Sequence, residues 1–370
     1  MRDPINQYEP DIKEADIVAV NEYLRSGGYV TEFKKTRELE KSISEYCQTN
    51  DSVIFPNGTL SLLAILKSLN IGKGDSVVVP NYTMAATAFA VVEAGAEVIF
   101  CDVELPSCCI CFDAFKEAIN CKRKSPKAVM LMSANGRYPS YEMNEFLSFC
   151  TNKGIKIIED SAQSLGSYYQ DGKHIGTYGV AGSFSFSMPK IITAGQGGAV
   201  ISNDEKLISK LRSYRDFGRI SGGNDLHPEI GLNLKYTDLQ ATLALSQINR
   251  IDQLAEIKKR NFKHLIDSVE SEYLYINQND LKYTTPWFYE LMTPHREKLV
   301  NWLSEQNIFT RNMYPELNRQ GAFSFHHQHT NEFKNSNFIS RNGLWLPSHT
   351  KLKHNDINRI VEALNTFRPI

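Results

Sequence analysis

The chain has no surplus charge of either sign. Its 41 lysines and arginines offset 42 aspartates and glutamates, a formal net charge of −1. A protein that held nucleic acid or an anionic bilayer through its overall field would be markedly basic, so neither partner is expected. Uninterrupted apolar runs are also missing. The most apolar window, Val77 to Val103, is broken by Asn81, Glu93, Glu97 and Asp102, and it reads as strand, helix and strand, not as a membrane span. The opening Met1-Arg2-Asp3-Pro4-Ile5-Asn6-Gln7 lacks the apolar segment of a secretory signal, which predicts a cytoplasmic location. The seven cysteines are an odd number without paired C-x-x-C spacing, which argues for reduced thiols and against structural zinc. Cys108, Cys109 and Cys111 crowd together near Cys101 and Cys121, but neighbours on an extended segment face opposite ways, so no metal site is expected. The run His326-His327-Gln328-His329 lies among Ser, Gln, Thr and Asn and reads as a solvated loop. No G-x-G-x-x-G follows an early strand, which speaks against a nicotinamide-dependent dehydrogenase.

What is present is alternation. Between about residues 50 and 202, short apolar runs rich in β-branched residues alternate with helical patterns. The expected strands are Ser52–Phe55, Ser76–Val79, Glu97–Cys101, Lys127–Met132, Ile155–Glu159, Gly182–Phe186 and Ala199–Ser202. Several are apolar throughout, as strands covered on both faces are. Between them Leu62, Ile65, Leu66 and Leu69 recur at helical spacing. This predicts an α/β fold with a mostly parallel sheet flanked by helices. Thr237-Asp238-Leu239-Gln240 fits a helix-opening capping box, and Ile248 to about Glu270 reads as a long connecting helix. The pattern then resets to a strand-like Tyr283–Met292, a helix from about Pro294 to Asn307, a short Ile308–Arg311 and a final helix from about Asn355. A large domain over 1–250 and a smaller C-terminal α/β domain over 251–370 are therefore expected.

Four sites in this frame could carry chemistry. Lys190 lies five residues after Ser185 and is followed by Gly195-Gln196-Gly197-Gly198. A lysine on a tight loop, a hydroxyl nearby and a backbone stripped of side chains would suit a phosphate-bearing aldehyde such as pyridoxal 5'-phosphate. The segment reads equally well as a turn with a surface lysine. Pro56-Asn57-Gly58-Thr59 joins a strand to a helix and would present free N–H groups to an anion, though an ordinary helix cap looks the same. Glu159-Asp160-Ser161-Ala162-Gln163 places acids at the carboxyl end of a strand, where ligands of parallel sheets bind; a solvated strand end is the alternative. Gly231-Leu232-Asn233-Leu234-Lys235 puts polar side chains before a capped helix, which a routine helix entry would do as well.

The order of these four sites resembles the nucleotide-sugar aminotransferase family, the DegT/StrS type of fold type I pyridoxal phosphate enzymes. The resemblance runs through most of the chain: Ser26-Gly27-Gly28-Tyr29-Val30-Thr31, Val79-Pro80-Asn81-Tyr82-Thr83-Met84-Ala85-Ala86-Thr87, Thr310-Arg311 with Tyr314-Pro315, and Leu346-Pro347-Ser348. It implies that Lys190 carries the cofactor as a Schiff base and shuttles the substrate proton. Asp160 would pair with the ring nitrogen, and Gln163 would lie near the ring hydroxyl. Gly58, Thr59 and Ser185 would hold the phosphate, with Asn233 reaching it from the partner subunit of a homodimer with shared active sites. Met84 stands where relatives stack an aromatic ring on the cofactor, and a thioether can still pack there. Lys235 replaces a common arginine, Asn135-Gly136-Arg137 a usual aromatic-Gly-polar pattern, and Gln196 a common glutamate. A lysine at position 190 sets the chain apart from sibling sugar dehydratases, which carry histidine. The run from Lys190 to Gly198 looks more like members that aminate C4, such as perosamine synthases, than like the 3-keto branch. The implied reaction moves an amino group from L-glutamate to a nucleotide-linked 4-keto-6-deoxyhexose, for amino sugar and polysaccharide biosynthesis. A non-catalytic relative that binds the cofactor or a nucleotide sugar is the other reading.

Overall fold

The structure is a computed structural model that describes residues 3–120, 125–220, 225–324 and 333–369. Cys121 and the run His326 to His329 lie outside the described residues. Two helices, α1 (Glu14–Arg25) and α2 (Lys34–Cys47), precede the alternating region. That region runs β1 (Asp51–Phe55), α3 (Gly58–Ser68), β2 (Ser76–Pro80), α4 (Ala85–Ala94), β3 (Glu97–Cys101), α5 (Phe112–Asn120), β4 (Ala128–Met132), α6 (Met143–Lys153), β5 (Lys156–Asp160), β6 (Ala181–Ser185) and β7 (Gly198–Ser202). Then come α7 (Glu205–Arg215), α8 (Asp238–Ile248), α9 (Ile251–Ser268), β8 (Tyr275–Ile276), β9 (Tyr289–Met292), α10 (Arg296–Glu305), β10 (Arg311–Asn312), α11 (Lys334–Asn342), β11 (Gly343–Leu346) and α12 (His354–Thr366).

β1 to β7 form one seven-stranded sheet in the order β1-β7-β6-β5-β4-β2-β3. β2, β3, β4, β5 and β6 pair in parallel, and β7 runs antiparallel to both of its neighbours. All seven expected strands are present to within about a residue or two at either end, the usual uncertainty of such boundaries. Their apolar content reflects burial on both faces. Val53, Val77, Val79 and Val98 pack under α3 and α4, while Val78, Ile99, Val129 and Ile157 pack under α5 and α6. The window from Val77 to Val103 is strand, helix and strand, as its polar interruptions indicated, and no described helix is long and apolar enough to cross a membrane.

The second sheet, β10-β11-β9-β8, is antiparallel. The strand-like stretch expected over Tyr283–Met292 forms a strand only from Tyr289. The residues before it instead cross toward the large sheet, where the N–H of Tyr168 donates to the Tyr283 carbonyl at 2.8 Å and that of Trp287 to the Asn135 carbonyl at 3.4 Å. Ile5 bridges to Ile308 and packs with Leu291, Leu299 and Leu346, so the first residues of the chain lie against the C-terminal sheet.

Candidate active site

Sheet geometry separates the two acids at the end of β5. Successive side chains of a strand point to opposite faces. Glu159 is enclosed on one side, where its carboxylate accepts from the Tyr169 hydroxyl at 2.6 Å, the Gly176 N–H at 2.8 Å and the Gly179 N–H at 2.6 Å. Asp160 faces the other way with fewer donors. Its carboxylate accepts from the Thr87 hydroxyl at 2.6 Å and the Ala162 N–H at 3.2 Å. Thr87 is held in turn 2.9 Å from the Thr83 hydroxyl. Burial pushes the Asp160 carboxyl above its usual range, and these donors together with the nearby Lys190 charge draw it only partly back.

Lys190 ends a tight turn, its N–H donating to the Ser187 carbonyl at 3.0 Å. The loop is pinned by distant parts of the chain. The Tyr8 hydroxyl donates to the Lys190 carbonyl at 3.2 Å, the Trp287 indole to the Pro189 carbonyl at 2.5 Å, and the Thr193 N–H to Gln247 of α8 at 2.7 Å. The half-buried Lys190 amine lies 4.1 Å from the centre of the Trp287 ring and has no carboxylate within ion-pair distance among the described residues. Burial brings it down to about 8, against the pull of Asp160 and with the push of the Arg311 charge. Lys190 lines a narrow chamber with Gln163, Ser185, Trp287 and a second lysine, Lys258.

The start of α3 packs closely on Ser185, a residue of this chamber, because two glycines leave room. Gly198 lies across from Phe55 on one side and Ser185 on the other. A Cβ on Gly198 would come within 2.5 Å of the Asn57 backbone. A Cβ on Gly58 would come 3.2 Å from that of Ser185. Asn57 caps Leu60 at 2.9 Å, which leaves the N–H groups of Gly58 and Thr59 without an intrahelical partner beside the Ser185 hydroxyl. Among the described residues that hydroxyl has only long contacts to Ser187, at 3.3 and 3.4 Å.

The remaining expected residues are placed as follows. Gln163 is buried and accepts the Asn135 N–H at 2.6 Å. Met84 is 48% exposed, and its sulfur accepts the Ala86 N–H at the start of α4. Asn233 is exposed, bridges to Asp216 and does not line the Lys190 chamber. Lys235 is committed to Asp216 at 2.5 Å and lies over the Phe217 ring. Arg137 is not free to grip a ligand. It is buried, with its guanidinium 2.5 Å from Glu290 and its Nε donating to the Ser107 carbonyl at 2.9 Å. Trp287 and Lys258 line the chamber, Thr87 holds Asp160 and the Arg311 charge acts on Lys190, and none of the four was given a role from sequence. Thr87 and Arg311 fell inside quoted segments; Trp287 sat in an aromatic run that reads as core.

A profile of the DegT/DnrJ/EryC1/StrS aminotransferase family matches residues 10–365. A GDP-perosamine synthase from Vibrio cholerae is 26% identical over 97% of this chain and 98% of its own. A dTDP-3-amino-3,6-dideoxy-alpha-D-galactopyranose transaminase from Aneurinibacillus thermoaerophilus is 27% identical over 98% and 96%. The crystal structure of a DegT DnrJ EryC1 StrS aminotransferase from Brucella abortus superposes with a TM-score of 0.88 at 26% identity, covering 95% of this chain and 94% of that one. The chain belongs to the DegT/DnrJ/EryC1/StrS aminotransferase family, whose cofactor is pyridoxal phosphate.

The residues present fit that cofactor. A buried carboxylate with no cation in contact among the described residues suits a protonated ring nitrogen, and an amine with no anion in contact among them suits an aldehyde. Two free N–H groups at a helix start beside a loosely bonded serine suit a phosphate.

Proposed function

We propose that this aminotransferase moves the amino group of L-glutamate to C4 of a nucleotide-linked 4-keto-6-deoxyhexose. The observation that carries the reading is that the half-buried Lys190 amine and the buried Asp160 carboxylate lie near enough to act on each other, each without an ion-pair partner among the described residues, beside the open start of α3. Pyridoxal phosphate, when bound, supplies an electrophilic carbon for the amine and a ring that spreads the electron pair of an ionising C–H bond. Lys190 holds the cofactor, and its Nζ then takes and returns the substrate proton; an amine near pKa 8 is suited to both tasks around neutral pH. Asp160 keeps a proton on the ring nitrogen, and Thr87 fixes the carboxylate that does so. Gly58, Thr59 and Ser185 hold the phosphate. Gln163 would serve the ring hydroxyl, and Met84 would supply an apolar contact to the ring.

Position C4 rests on the Lys190–Gly198 segment and on relatives named GDP-perosamine synthase at 26%, 27% and 28% identity. Amination at C3 is the second reading, favoured by the 3-amino sugar transaminase relative. Incubation with glutamate and a panel of nucleotide-linked keto-deoxysugars, followed by NMR of the product, decides between them. Nitrogen on C4 is expected; nitrogen on C3, or turnover of free keto acids only, overturns the proposal.

We further propose a homodimer in which Asn233 serves the partner's phosphate. Its exposure, away from the Lys190 chamber of its own chain, supports this. Mixing inactive Lys190→Ala chains with impaired Asn233→Ala chains should restore activity in hybrids that pair one intact lysine with one intact asparagine. Hybrids that form without recovery would refute sharing.

A further inference from the structure

A second cleft of about 410 Å³ lies apart from the Lys190 chamber and shares no lining residue with it. That volume falls in the range of small-molecule sites. Its walls carry four tyrosines, Tyr138, Tyr141, Tyr169 and Tyr178, and three acids, Glu142, Asp171 and Asp280. Tyr138 follows the turn after β4. Tyr169 and Tyr178 flank a tight turn after β5, closed by the Tyr169 N–H donating to the Lys173 carbonyl at 2.8 Å.

The polar groups of this cleft define what it can hold. A phosphate would need a free cation, and Arg137, which lines the cleft, is fully engaged by Glu290 and the Ser107 carbonyl. An organic ammonium would need a free aromatic face beside a carboxylate, and one of the cleft's tyrosine–carboxylate pairs is already taken, which leaves Tyr138 with Asp280. The protein's own Lys173 already lies 4.6 Å from the centre of the Tyr178 ring and 3.0 Å from Asp171. What remains is acceptor capacity and ring surface. The Asp280 carboxylate accepts from the Tyr138 hydroxyl at 3.3 Å, and Asp171 accepts from the Tyr178 hydroxyl at 2.8 Å. Each carboxylate has further lone pairs for hydroxyl donors. The Tyr141 hydroxyl is buried with no partner among the described residues, an unmet demand for a polar group. Hydroxyls around a ring with an apolar C–H face match acceptors set beside half-buried tyrosine rings.

We infer that this cleft is a second carbohydrate site, which takes an uncharged hexose ring and not a nucleotide-linked one. Tyr138 is the platform and Asp280 the hydroxyl acceptor. An occupant would rest against the Asn135–Tyr138 segment, whose Asn135 N–H donates to Gln163 at the Lys190 chamber.

Saturation-transfer NMR on the cofactor-loaded enzyme tests this, with methyl α-D-glucopyranoside, methyl α-D-mannopyranoside and methyl β-D-galactopyranoside as probes and GMP and tetramethylammonium as controls. Transfer to at least one glycoside is expected at about 10 mM, the concentration scale of weak monosaccharide binding. It should fall by at least about fivefold in Tyr138→Ala and in Asp280→Asn, while turnover per folded molecule stays within about twofold, because neither side chain lines the Lys190 chamber. Tyr138→Phe, which keeps the ring, should retain most of the transfer. Should a variant fail to fold, tyrosine ring resonances of the unaltered protein give the answer directly, since the Tyr138 ring must shift when the glycoside is added. Absence of transfer to every glycoside, transfer that survives both variants, or a Tyr138 ring moved only by tetramethylammonium or GMP would each overturn the assignment.

Discussion

Two clusters of buried charge sit at the carboxyl ends of adjacent strands, and they are built in opposite ways. After β4, Arg137 meets Glu290, the Ser107 carbonyl and Asn279, while Glu290 also accepts from Trp345 and Asn277. That cluster is closed, and it ties the large sheet to the small one. At the end of β5, Asp160 has one hydroxyl and one N–H for company among the described residues, and the nearby Lys190 has no anion in contact among them. This second cluster is open. Burying charge costs free energy in both, but only the closed cluster meets the demand from within the chain. Glu159 provides the control one residue away, being equally buried yet met by three donors. Burial of a charge therefore does not mark a functional site here; an unmet partner does.

The largest expected effect strikes the open cluster. Lys190→Ala should abolish transamination and the visible absorption of the lysine-bound cofactor. Borohydride treatment of the unaltered protein should leave pyridoxyl on the peptide holding Lys190. An active, coloured variant would show that the open cluster is not the reaction site.

The closed cluster should respond in stability instead. Arg137→Met strands Glu290 in the interior and is expected to cost about 3–5 kcal/mol by denaturant unfolding, whereas the double replacement Arg137→Met with Glu290→Leu should recover most of it. A loss confined to turnover, with no change in unfolding, would place Arg137 among the ligand-binding residues and erase the contrast.

Asp160→Asn sharpens the comparison from the other side. Losing the charge under the ring should lower turnover by about 10²–10³-fold, the scale of removing one preorganised electrostatic partner. Stability should move the opposite way. The folded-state pKa is raised, so the buried carboxylate destabilises the apoenzyme above that pKa and has no such effect below the ordinary aspartate value, where both states are protonated. The variant should therefore unfold at higher temperature than the parent near neutral pH and lose that advantage in acid. Destabilisation at neutral pH would mean that Asp160 is held as tightly as Glu159.

The contrast was only partly visible in the sequence. The strands of the large sheet were legible because burial on both faces leaves several of them apolar throughout and the rest with an apolar centre. That same uniformity hides direction, so nothing in Gly198–Ser202 announces that β7 runs antiparallel. Lys190 and Gly58 stood out because the glycines around them serve backbone approach, a demand that few other residues meet. Glu159 and Asp160 could not be told apart in role from composition; their difference is the face each one points to. Arg137 read as a departure from the family's aromatic-Gly-polar pattern, and its partner Glu290 lies in a strand of the other sheet. Trp287 and Tyr8 act on the Lys190 loop from opposite ends of the chain, a relation that local pattern does not carry.

Lys258 tests whether the rule extends to a second lysine in the same chamber. It sits in the middle of α9, is buried, and donates to the Ser348 carbonyl at 2.5 Å. No carboxylate lies within ion-pair distance among the described residues, and burial alone brings its amine down to about 7. By the contrast drawn above it is an open charge, yet its one strong hydrogen bond ties α9 to the residues after β11. The two views differ in their pH dependence. An ordinary lysine holds its proton to about pH 10 in the unfolded chain, so between about 7 and that value the unfolded state carries a proton that the folded state has released. Stability should therefore rise with pH across this window, with the full penalty present below about 7. Lys258→Met removes that term. Its melting temperature relative to the parent should be most favourable below about pH 7 and decline steadily toward pH 10, where only the lost hydrogen bond to Ser348, about 1 kcal/mol, remains. A pH-independent difference would mean that Lys258 keeps its proton in the folded protein, held by the carbonyl as firmly as Arg137 is held by Glu290.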